Sequence, residues 1–141
     1  MPRSPVTGEA PLEPRYLPNA TVVRNVTLGT LTNEIHVDAM IDTGSTFCVV
    51  PPIFARALRF DHANRLHRRP VNVVGSQVQM DMHRLEYVKV GSAKAYGVIF
   101  GVHNAFPDSR VMLVGLTLIR QFNTLTFDFG ENRVLFRSRD S

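Results

Sequence analysis

Tryptophan is missing from this sequence and cysteine occurs once, at Cys48. A single thiol excludes an internal disulfide framework and any cysteine-based zinc site. No apolar run approaches the ~18 residues needed to cross a bilayer, and the first residues carry no apolar signal-peptide core, so the expected address is the cytoplasm, with no membrane partner. Aromatic residues make up only 9%. The formal charge is +4, with much of the excess in Arg56, Arg59, Arg65, Arg68 and Arg69. Without a row of aromatic residues to stack bases, that cluster reads as solvated surface, and no nucleic-acid partner is expected. What remains is ordinary for a globular protein: 141 residues, 44% hydrophobic and 20% charged, enough for one domain with a sizeable core.

Residues 1–18 hold Pro2, Pro5, Pro11, Pro14 and Pro18 with few large apolar side chains, which predicts a flexible leader ahead of a domain over 19–141. The dominant signal after it is short alternation. A strand is expected near 22–28, and a second near 34–41, with Ile35, Val37, Ala39 and Ile41 on one face. A short buried strand follows from Phe47 to Val50. Proline at its entrance favours a helix over 53–58, with Ile53, Ala57 and Leu58 on one face. Two strands flanking Gly75-Ser76-Gln77 read as a hairpin, and the alternation slips near His83-Arg84, as at a bulge or bend. Strands are expected at 85–90 and 95–100, and Val111 to Val114 is apolar throughout, as in a strand buried on both sides. A helix over 116–122 and a hairpin of 125–129 with 133–136 complete a mostly β domain with two short helices.

The segment Ala39-Met40-Ile41-Asp42-Thr43-Gly44-Ser45-Thr46 is an apolar strand running into an acid turn. Asp-Thr-Gly alone is common, and an ordinary Asx-type turn explains it as well. Its context is sharper: the strand delivers Asp42 to a turn where Gly44 permits close backbone approach. A second mark is the apolar run Val111-Met112-Leu113-Val114 ending at Gly115 ahead of the helix. Together these two marks, over about residues 20–137, resemble the retropepsin-like aspartic proteases. The resemblance implies a closed, six- or seven-stranded acid-protease β-barrel with one or two short helices. It also implies a hydrolase with catalytic residues Asp42, Thr43, Gly44 and Ser45, and a substrate-covering flap around Val74, Gly75 and Ser76. Thr43 would bond across a dimer axis, and the Ser45 hydroxyl would favour the ionised carboxylate and a lower working pH. Two departures stand out. Retroviral members often carry arginine just after the late glycine, where this chain has Leu116-Thr117, and the flap has a single glycine.

Peptide hydrolysis by this class needs two carboxylates sharing one proton, one to activate water and one to protonate the carbonyl oxygen. None of Asp38, Asp61, Asp81, Asp108, Asp128 and Asp140 has the context of Asp42, and a two-lobed enzyme needs about twice this length. A homodimer that sets Asp42 against its own copy is the remaining arrangement. Its interface is expected to include the Asp42–Ser45 turn and apolar edges such as 22–28 or 134–136. No cofactor or metal is required. The competing reading is a protease-like module that dimerises or binds peptides with little turnover. Cys48, within an apolar run, reads as core rather than nucleophile.

Overall fold

The computed structural model describes residues 6–12, 21–73, 75–104 and 110–139. Among them the chain forms, in order, β1 (Thr7–Pro11), β2 (Val22–Gly29), β3 (Glu34–Ile41), β4 (Cys48–Val50), α1 (Pro52–Ala57), β5 (His67–Val73), β6 (Ser76–Val90), β7 (Ala93–Val102), β8 (Val111–Val114), α2 (Leu116–Ile119), β9 (Phe122–Asp128) and β10 (Arg133–Ser138). Strands β2, β3, β8, β4, β7 and β6 neighbour one another in that order, and β6 pairs back onto β2. The result is a closed six-stranded barrel, within the six or seven strands that the resemblance implies, with β5 hydrogen-bonded outside β6. Closure leaves the ring itself no open edge. A second sheet, β1-β10-β9, lies beside it.

Alternation explains where the core sits. Val37 and Ala39 of β3 are buried, and Ile35 and Ile41 pack on the same cluster. Strand β8 is buried at all four positions because it runs between β3, in parallel, and β4, antiparallel. Phe100 is fully buried, edge-on to Phe60 at 5.1 Å and stacked on His83 at 5.7 Å.

Several expectations change. Within the expected leader, Thr7–Pro11 are strand β1 on β10, because Gly8, Ala10 and Leu12 alternate inward and Ala10 and Leu12 are buried. Strand β2 is not straight: its register shifts between Val23 and Val26, where Asn25 adopts φ 66°. Helix α1 buries Ala55 with Leu58 at its end, and leaves Ile53 exposed. No break occurs at His83-Arg84. Met80 and Met82 face a second, smaller cluster, whereas Leu85, Val88 and Val90 all serve the main core. The facing changes between Leu85 and Val88, opposite Gly97 at φ 61°, while the pairing with β7 stays in register. Of the bulge or bend expected there, the constant register excludes a bulge, and the facing changes instead by a local twist at a glycine. Helix α2 is one turn, and Phe122 already starts β9. Finally, 22–28 and 134–136 are not edges: β2 is paired with β3 and β6, and β10 lies between β1 and β9.

Candidate active site

Strands β3 and β8 end together, Ile41 opposite Val114. The next residue, Asp42, donates its N–H to the Val114 carbonyl at 2.9 Å, and the Ser45 N–H returns to the Asp42 carbonyl at 3.2 Å. That turn brings donors to both carboxylate oxygens. The Gly44 N–H donates to Oδ1 at 3.0 Å and the Ser45 hydroxyl to Oδ2 at 2.9 Å. Asp42 and Ser45 are half-buried, while Thr43 and Gly44 are exposed. The acid is thus oriented on a surface turn rather than sealed in the core.

Gly115 explains how the turn is held. A Cβ there would overlap the Phe47 carbonyl and lie 2.8 Å from the Ser45 oxygen. With no side chain in the way, the Leu116 N–H reaches the Ser45 carbonyl at 2.8 Å and the Thr117 N–H reaches that of Thr46 at 2.9 Å. The Thr117 hydroxyl donates to the Ile99 carbonyl at 2.9 Å and accepts from the Cys48 N–H at 3.4 Å. Thr117 therefore ties the acid loop to β7, a part that the sequence reading passed over. The signal was present, since a hydroxyl follows the late glycine by two residues. Only the fold shows what it touches.

The β5–β6 hairpin packs against the flanks of this turn. Met80 and Met82 are buried with Val49 and Leu113, and Met40, Phe47, Val71 and Val78 lie against them. Met40 and Phe47 bracket the acid turn in sequence, and the Arg69 guanidinium sits 4.7 Å from the centre of the Phe47 ring. At the hairpin tip, Gly75 adopts φ 77° with open space around it, and Ser76 pairs with Val73. Val74 lies outside the described residues.

Neither of two surface clefts, about 730 and 240 Å³, is lined by Asp42–Ser45. Among the described residues no cluster of three or more His, Cys, Asp or Glu forms a metal cage. Cys48 is fully buried, and burial pushes its thiol up despite the hydrogen bonds around it. The basic cluster is partly spent on structure. Arg65 and Arg68 reach Asp81 Oδ1 at 3.2 and 3.3 Å, and His62 pairs with its other oxygen. No helix among the described residues is long and apolar enough to cross a membrane.

A closed barrel carrying an acid turn braced by a late glycine is an acid-protease architecture. A crystal structure of a retropepsin-like aspartic protease from Rickettsia conorii superposes with a TM-score of 0.68 at 18% identity, covering 96% of this chain and 94% of that one. At that identity the likeness speaks to the fold. No curated protein matches the sequence. Residues 24–118, more than half of the chain, match the family model for aspartyl protease, and the chain belongs to that family.

Proposed function

We propose that two copies of this chain form an aspartic endopeptidase in which the paired Asp42 carboxylates hydrolyse a peptide bond. The observation that carries the reading is the acid turn, where a half-buried carboxylate has one donor on each oxygen and no second acid turn in the same chain. In the mechanism, one ionised Asp42 takes a proton from water as the water oxygen bonds to the scissile carbonyl carbon. The other Asp42, protonated, gives its proton to the carbonyl oxygen. The resulting diol collapses, a proton passes to the amine nitrogen, and the C–N bond breaks. Two like charges about 3 Å apart cannot both stay ionised, so the pair keeps one proton between them. Ser45 and Gly44 hold each carboxylate in orientation, and Thr43 meets its copy across the axis. Gly75 and Ser76, with Val74, cover an extended peptide. The partly exposed turn, which lines neither of the two clefts described above, supports a half-site whose cleft a partner would complete. The setting we propose is the cytoplasm.

The test is cleavage of a generic peptide library by parent and Asp42→Asn, with sedimentation across a dilution series. Activity should vanish in the variant while the fold persists, because the amide neither takes a proton from water nor shares one. Specific activity of the parent should fall as the dimer dissociates. Equal cleavage by variant and parent ends the enzyme reading, and full activity in a monomer ends the paired mechanism. Tight peptide binding without turnover would favour the binding-module alternative.

A further inference from the structure

The 240 Å³ cleft lies beside α1, away from the acid turn. Its walls are mostly apolar: Pro52, Ala55, Phe60 and Val102. His83 also lines it, almost fully buried against the rings of Phe60 and Phe100. The His83 Nδ1 has no hydrogen-bond partner. A buried polar atom without a partner is unusual and calls for an explanation. In the wall of a cleft, a bound molecule or a water it carries in can supply one. The polar rim is Arg56, Asp61, His62 and Asp81.

The charges at the rim are unevenly partnered. Asp81 already pairs with Arg65, Arg68 and His62. Arg56 is exposed and makes no ion pair among the described residues. Arg65 and Arg68, which lie outside the lining, offset Asp81, so Arg56 and Asp61 are left at the rim without an ion-pair partner among the described residues. An unpaired guanidinium beside an apolar cleft selects an anion with an apolar body, and its planar fork suits a carboxylate. A cavity of about 150 Å³ takes a benzene ring, so this one has room for a phenyl group.

We propose that this cleft binds a small apolar carboxylate, its ring or chain lying on Phe60, Val102 and His83 and its carboxylate held by Arg56. The site makes no use of Asp42, so binding survives in Asp42→Asn, and its failure is separable from failure of the protease reading. The experiment is an amide and methyl NMR titration of the full chain with phenylacetate, set against acetate, 2-phenylethanol and inorganic phosphate. Saturable shifts are expected at Ala55, Phe60 and Val102, with phenylacetate about tenfold tighter than acetate or 2-phenylethanol. Arg56→Gln, on an exposed position, should weaken phenylacetate about three- to tenfold and leave 2-phenylethanol unchanged. Val102→Phe should fill the cleft and abolish both; if it does not fold, Arg56→Gln decides. Shifts confined to other residues, absence of saturation, acetate or phosphate binding as tightly as phenylacetate, or an unaffected Arg56→Gln would each overturn the proposal.

Discussion

Replacing Gly115 by alanine tests whether the late glycine holds the acid turn in place. The backbone at Gly115 has φ −105°, which any residue adopts, so the demand is for space alone. A Cβ would overlap the Phe47 carbonyl, 2.6 Å from its carbon, and lie 2.8 Å from the Ser45 oxygen. These are backbone atoms and no rotamer change relieves them. Overpacking of this kind costs about 1–3 kcal/mol. If α2 moves away, the Leu116–Ser45 and Thr117–Thr46 bonds go with it, at about 0.5–1.5 kcal/mol each. The expected loss is therefore about 2–6 kcal/mol, a fall in Tm on the order of 10 °C for a domain of this size. Gly44→Ala is the control, because its Cβ meets only Asp42 Oδ1, at 3.2 Å; its stability should stay within about 1 kcal/mol of the parent. Thermal and urea unfolding followed by circular dichroism measure both. A Gly115→Ala variant melting within about 2 °C of the parent would refute the bracing argument.

Two further outcomes are expected. Burial, the largest influence, lowers the His83 pKa below its ordinary value of 6.5; Asp81 and Asp61 oppose the shift and His62 adds to it. The unfolded chain then takes up the proton first, so this stability is present above the unfolded pKa and drains away as pH falls through it toward the folded value. The urea midpoint should drop between about pH 7.5 and about pH 5, and drop less in His83→Phe, which keeps a ring in place; parallel curves would contradict this. Thr117→Val removes the donor to the Ile99 carbonyl and should cost about 1–3 kcal/mol, with Thr117→Ser recovering most of it. Equal stability of the valine variant would mean that Thr117 does not tie the loop.

The sequence by itself determined the elements whose burial is local in origin. Alternation along Glu34–Ile41 and the all-apolar Val111–Val114 announce β3 and β8, because facing repeats every two residues whatever the partner. The acid turn was equally legible, since strand, Asp42 and Gly44 are contiguous. Only tertiary structure decided what depends on a neighbour distant in the chain. Thr7–Pro11 carry no strong strand signal and become β1 because β10 offers an edge. The facing change near Gly97 arises from two strands twisting together, a property of neither sequence alone. Gly115 is legible as the glycine that ends the late apolar run, but the Phe47 carbonyl packed against it is not. Arg56, Arg65 and Arg68 look alike in the sequence, yet two are spent on Asp81 and one is left at the rim of a cleft. For Arg68 the reason is the register of β5 on β6, which sets it opposite Asp81.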